Sequence, residues 1–310
     1  MKFAVGMEQR REFSFDNPDS AIVNGDGNSD AAPTRGSYHV MSGYGDVLAP
    51  ILKDAPFAKA LNAEASLRYD HYNIFGNATT WKLGLDYAPV QDIRFRGFRS
   101  TAFRAPQVKE LFGGAFQNAA TATDPCSTGG AGGRGDAAGS AACLAALTAA
   151  GVNGQNFQSS LTQIETINGG NINLKPEKAK EYTIGGVITP RFLPGFSFGA
   201  DYYNIDIENY IQALGTQDVL ESCFLHNVPA ACANITRQRG TGEVVAVLSS
   251  NINFGFQKTA GIDFDASYAF RVDQLGLQRP GTFTVDARST LELHNYVNGA
   301  AGVNNQTATW

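Results

Sequence analysis

Four cysteines, Cys126, Cys143, Cys223 and Cys232, carry the most distinctive chemistry in this chain. Paired locally, 126 with 143 and 223 with 232, they form two short loops. Disulfides persist in the periplasm and at cell surfaces, so this pairing predicts an exported protein. In the chain-entropy account each closure stabilises its loop by ~2–3 kcal/mol. A competing chemistry uses Cys223, His226 and Cys232 as zinc ligands. It offers three donors where a closed structural zinc site takes four. Asp26-Gly27-Asn28-Ser29-Asp30 matches the opening of a calcium loop. Ala31 then stands where the sixth-position Gly belongs, and Ser37 where the twelfth-position Glu belongs. A flexible acidic loop is the expectation there. Residues 130–135 spell GxGxxG, but no strand leads in and no helix is tightly joined. That segment reads as a loop made mobile by glycine. GxSxG, HExxH and P-loop motifs are absent, and His39, His71, His226 and His294 are scattered. No catalytic residue, metal or cofactor is expected.

The elements that must position these loops show a period of two. Leu61, Ala63, Ala65, Leu67 and Tyr69 share one face of 61–70, with Asn62, Glu64, Ser66, Arg68 and Asp70 on the other. The same alternation recurs at 81–87, 196–203, 262–271 and 283–292, and more weakly at 2–15, 37–49, 92–103 and 178–189. That makes about nine strands, with one short helix expected at Ala141–Ala150 and stopped by Gly151. Most runs reach nine residues or more, whereas soluble strands average ~5–6 and tilted membrane strands need ~9–11. Aromatic residues such as Trp81 and Tyr87 close the ends of the apolar faces, as in an aromatic girdle.

The connections alternate as well. Short ones fall near 89–92, 190–195 and 274–281, with a link of moderate length at 50–59. Long ones fall at 14–36, 104–177 and 208–250, with a shorter one at 73–78. Every long connection lies on one side, as the extracellular loops of outer-membrane barrels do. A soluble β-sandwich also alternates, so pattern alone leaves two architectures open. No stretch approaches the ~18 apolar residues of a membrane helix. The net charge of −5 gives no basic face for nucleic acid.

Specific motifs then appear. Ser100-Thr101-Ala102-Phe103-Arg104-Ala105-Pro106, followed by Glu110-Leu111-Phe112, resembles the "FRAP…ELF" segment of TonB-dependent outer-membrane receptors. Gly170-Asn171-Ile172-Asn173-Leu174-Lys175-Pro176-Glu177 resembles their "GNPNLKPE" segment, with Ile172 where Pro is usual. Residues 178–186 resemble the strand that follows it. Asp201-Tyr202-Tyr203-Asn204-Ile205 and Thr259-Ala260-Gly261-Ile262-Asp263 resemble two further strand signatures of the family. The likeness covers residues 95–270 and is nearest to members with cysteine-bearing extracellular loops.

The resemblance implies an all-β, antiparallel, 22-stranded transmembrane barrel plugged by an N-terminal domain. It implies import of a scarce nutrient across the outer membrane of a Gram-negative bacterium, driven through TonB contacting the plug. The cargo class stays open among iron chelates, cobalamin, oligosaccharides and peptides. Residues 1–310 then form part of one barrel domain, an open or curved sheet of about nine strands, with plug and closing strands absent. The start at Met1-Lys2 reads as a cut end rather than a signal peptide. A passive porin and a soluble extracellular β-protein are the alternatives.

The motif residues also carry a local reading. Pro106 ends a strand, because it cannot donate to a ladder. Arg104 beside it can pair with Glu110 or Glu177 at the strand's outer end. Pro176 marks the return to the wall. Arg104, Pro106, Glu110, Leu174, Pro176 and Glu177, with Asp201, Tyr202, Gly261 and Asp263, are therefore expected to be structural. Substrate contacts are not assigned, although the loops at 104–177 and 208–250, together with the plug, are expected to provide them.

Overall fold

The computed structural model describes residues 1–310 except 27–29, 254, 272–280, 300–301 and 308–310. In chain order the elements begin with β1 (Lys2–Asp16), α1 (Ser20–Val23), β2 (Thr34–Ala55), β3 (Ala58–Tyr72), β4 (Gly76–Val90) and β5 (Ile93–Arg104). After β5 come α2 (Val108–Phe112), β6 (Phe116–Thr121), α3 (Ala141–Ala149), a 3-10 turn (Gly154–Asn156) and β7 (Gln163–Gly169). The chain continues through β8 (Glu177–Ile188), β9 (Phe196–Glu208), β10 (Ile211–Ala213), α4 (Thr216–Phe224), α5 (Pro229–Cys232) and β11 (Ile235–Arg237). It ends with β12 (Val244–Asn253), β13 (Phe256–Arg271), β14 (Thr282–Gly299) and β15 (Gly302–Asn305).

Ten strands form one sheet in the order β1-β2-β3-β4-β5-β8-β9-β13-β14-β15. Nine of these are the alternating runs of the sequence, and β15 is a short addition. Every pairing along the sheet is antiparallel. Among the described residues no pairing joins β15 back to β1, so the sheet is an open wall.

Register keeps the two faces distinct across the whole wall, because a one-residue slip would invert them. Leu61, Tyr87, Phe95, Gly186, Ala200 and Phe264 align in one row on the outward face. Leu67, Leu83, Leu85 and Ile184 on that face are more than half exposed. Such a surface is stable only against lipid. The inward face carries Asn62, Asp86, Arg96, Asp201, Asp263 and Thr290 in another row.

One expectation is corrected here. The 50–59 link is a tight turn, because β2 runs to Ala55 and Ala55 already pairs with Ala58. Asp54 and Phe57 take left-handed φ values of 51° and 56° to close it. Pro50 stays within β2 at a register shift between Pro50 and Leu52, where a bulge absorbs the missing donor. The 274–281 turn and the 26–30 acidic segment fall mostly outside the described residues.

Above the wall sits a second body. Strands β10, β12, β7 and β6 form a further sheet, and β11 pairs with β12. Its core joins Cys126, Cys143, Leu147, Phe157 and Ile164 from the first long loop to Val219, Leu220, Phe224, Val244 and Val247 from the second.

Candidate functional site: a two-loop cap on the barrel rim

The first loop leaves the wall at the end of β5 and returns at the start of β8. Arg104 fixes both feet. Its Nε and Nη2 donate to the two oxygens of Glu177 at 2.7 and 2.9 Å. Its Nη1 donates to Glu110 at 3.0 Å. Glu110 in turn accepts from the Gln107 N–H at 2.7 Å, which caps α2. Glu177 also accepts from the Ile211 N–H at 2.7 Å, which ties in the second loop. This fork matches bidentate recognition of a carboxylate by guanidinium. Pro106 and Leu174 are buried beneath it, Leu174 among Tyr38, Val40, Tyr72, Val108, Leu111 and Ile211. Pro176 directly precedes β8.

The second loop has its own fastening. Asn253 accepts from the Lys175 N–H at 2.7 Å and donates to the carbonyls of Lys175 and Asn209 at 2.7 and 2.8 Å. The feet of both loops are therefore bound to each other, and all of them enter the wall on neighbouring strands.

Within the cap the two loops interlock. Strands β7 and β12 run parallel, with Ala246 beside Glu165 and Ser250 beside Gly169. Arg237 grips Asp124 with contacts of 2.6 and 2.9 Å, and both side chains are buried. The Arg237 guanidinium also lies 5.0 Å over Phe224 and 5.7 Å over Phe157. Glu243 accepts from the Ser159 hydroxyl, the Ser160 N–H and the Ser160 hydroxyl. Burial raises the Glu243 pKa, but the hydrogen bonds from Ser160 and Ser159 outweigh it and leave the carboxyl below its ordinary value. Arg134 reaches Glu221 across the same seam.

The cysteines pair as Cys126–Cys143 and Cys223–Cys232, with sequence separations of 17 and 9. The zinc reading is thereby overturned, because both candidate thiolates are consumed by a bond to each other. Among the described residues no cluster of His, Cys, Asp or Glu is arranged for a metal. The glycine segment at 130–135 is also corrected. A Cβ on Gly132 would lie 2.0 Å from the Leu161 carbonyl. The Gly132 N–H donates to the Ser159 carbonyl, and the Asp124 N–H donates to the Gly132 carbonyl. Glycine here permits close packing rather than motion.

The remaining motif residues lie elsewhere. Asp201 and Asp263 face inward. Asp201 receives Arg96 at 2.7 Å, and Asp263 accepts from Thr290 at 2.7 Å. Gly261 sits at the register shift of β13 against β14. Tyr202 points the opposite way, toward lipid, with its ring 5.9 Å from that of Tyr182. Sequence reasoning missed Asp124, Arg237, Glu243 and the Ser159–Ser160 pair. Asp124-Pro125 beside Cys126 was the only local signal.

Between rim and cap lies a cleft of about 610 Å³. Its walls include Asp16, Ile22, Gln107, Phe116, Asn168 and Asn251. Amide, carboxylate and aromatic groups thus converge on the mouth of the inward face.

A family model described as TonB dependent receptor-like, beta-barrel, matches residues 2–309. The chain belongs to the TonB-dependent receptor family. Membership decides between the two architectures in favour of the membrane wall, and places the chain in the outer membrane of a Gram-negative bacterium. A segment of 59 residues is 41% identical to the vitamin B12 transporter BtuB of Vibrio vulnificus (strain YJ016), covering 19% of this chain and 10% of that protein. A variant of the ferric enterobactin receptor PfeA of Pseudomonas aeruginosa, solved with enterobactin, superposes with a TM-score of 0.57 at 14% identity. That match covers 93% of this chain and 33% of the receptor. The same receptor in another complex gives 0.54 at 14% identity, over 87% of this chain and 31% of the receptor. The chain therefore spans about a third of these solved TonB-dependent receptors.

Proposed function

We propose that this TonB-dependent receptor chain supplies wall and cap to an energy-coupled importer of a scarce nutrient. The carrying observation is the cap itself. Two disulfide-closed loops share one core and are fastened to the rim by Arg104, Glu177 and Asn253. A rigid, disulfide-braced body over the mouth of an inward polar wall is suited to capturing cargo from outside. A passive pore needs no such cover. Cargo of the iron–siderophore or cobalamin class fits the family, and the names of its relatives support that range. In this reading residues 1–310 form part of one barrel domain. The remaining strands, and a plug that engages TonB, come from outside these residues. Outer-membrane lipid surrounds the outward face.

The test is a deletion of 115–165 in the full-length receptor. Loss of cargo affinity and of uptake is expected, with the barrel still folded. Retention of both would show that the cap has no part in capture.

A further inference from the structure

Outside the import path, the lipid-facing side of the wall carries charge at one level. On β8 the outward residues run Ile188, Gly186, Ile184 and Tyr182, and then change to Lys180 and Lys178. On β9 they run Phe198, Ala200 and Tyr202, and then Asn204, Asp206 and Glu208. On β13 the apolar Phe264 and Ile262 give way to Lys258. The last aromatic on β8 and β9 marks the upper edge of the hydrocarbon band. Each further pair of residues climbs ~6.6–6.8 Å along the strand, so these charges stand at the headgroup level on the long-loop side. Arg99 on β5 lies at the edge itself, between Leu83 and Tyr182. Its long stem can carry the guanidinium upward to the same level.

The charges are unbalanced. Lys180 pairs with Glu208 at 2.7 Å and Lys258 with Asp206 at 3.2 Å. Arg99 and Lys178 are both exposed; neither is in an ion pair among the described residues, and Lys178 acts on Glu208 only from beyond ion-pair distance. Four cations thus surround two carboxylates. A guanidinium at the border of hydrocarbon is stable only with an anion or water to meet it, and Arg and Lys together suit phosphate.

We propose that Arg99, Lys178, Lys180 and Lys258 form a binding site for the phosphate groups of an outer-leaflet glycolipid. The argument is charge complementarity. The outer leaflet of this membrane is built from phosphorylated glycolipid, and the cluster offers net positive charge where those phosphates lie. The acyl chains would run down the row of Tyr182, Ile184 and Tyr202. This site is independent of the import reading, because it faces away from the cleft.

The test uses the full-length receptor in detergent, with bound lipid quantified by native mass spectrometry. The probes are bisphosphorylated lipid A, dephosphorylated lipid A and inorganic phosphate. The variant is Arg99→Gln with Lys178→Gln, which leaves both ion pairs intact. Heat-dependent mobility on gels confirms that it folds, and the variant Arg99→Lys with Lys178→Arg tests charge without change of sign. Lipid A affinity should fall roughly twentyfold in the Gln variant, as expected for two interfacial cations, and be largely kept in the charge-conserving one. Equal retention by wild type and Gln variant would overturn the site. So would equal binding of dephosphorylated lipid A by the wild type. Inorganic phosphate bound as tightly as lipid A would assign the cluster to a free anion and overturn the lipid assignment.

Discussion

Replacing Arg104 by Ala leaves Glu177 buried at 6% exposure with its charge unpaired. Breaking a fully buried pair costs about 3–5 kcal/mol. Arg104 itself is 40% exposed, so solvent screens part of that, and about 2 kcal/mol is the expected loss. Amide exchange at Ile211, whose N–H donates to Glu177, is the local readout and should accelerate. A second residue-scale prediction concerns Gly185. It stands in the row between Arg96 and Asp201, and the Arg96 side chain crosses over it to reach Asp201. A Cβ there would lie 2.0 Å from the Asp201 carboxylate. Gly185→Ala should therefore cost about 1–3 kcal/mol in a denaturant melt of the folded barrel. Gly43→Ala, with open space around its Cβ position, is the matched control and should be near neutral. At this scale much was legible. Arg104, Glu110 and Glu177 declare themselves by sitting where a strand ends and a strand begins. Gly185 did not, because its role depends on which residue of another strand lies beside it.

The strands of the wall were legible from alternation, since one face meets lipid and the other water. The cap was not. Its strands β10 and β11 are only three residues long, and the pairing of β7 with β12 is parallel and distant in sequence. Neither feature leaves a period. The buried pair of Asp124 and Arg237 joins residues 113 apart, which no local pattern encodes. The cap should nevertheless behave as one cooperative unit. Arg237→Met leaves Asp124 buried and unpaired, with an expected cost of about 3–5 kcal/mol confined to the cap. Limited proteolysis should then cut within 115–169 and 211–250 while the wall strands, β8 and β9 among them, stay protected. Acid should loosen the same seam. The folded Glu243 carboxyl titrates below its unfolded value, so its contribution is present above that value, near ~4.3, and is lost as pH falls through the folded pKa. Protection of the Ser160 amide, referred to the intrinsic exchange rate at each pH, should fall on acidification, and Glu243→Gln should remove that pH dependence.

For the whole molecule, the two long loops move together or not at all. They share a core, a parallel strand pair and a buried ion pair. Hinge motion over the cleft therefore has to occur at the feet, around Arg104, Glu177 and Asn253. Reduction of both disulfides should lower cap stability by ~2–3 kcal/mol per bridge without opening the wall, as tested by thiol labelling of the receptor in intact cells. Labelling that disrupts the wall equally would show that cap and wall fold as one unit.

The attachment of the cap has a consequence for how such receptors diversify. Its chain crossings fall at the ends of β5, β8, β9 and β13, which are consecutive neighbours in the sheet. A gene segment encoding 105–255 could thus be exchanged between related barrels as a single cassette, carrying its bridges, its core and the two wall strands β8 and β9 along. Only the edges of β5 and β13 need to match the incoming strands. A lineage could acquire a new cargo range in one recombination step while the rest of its lipid-facing wall stayed unchanged.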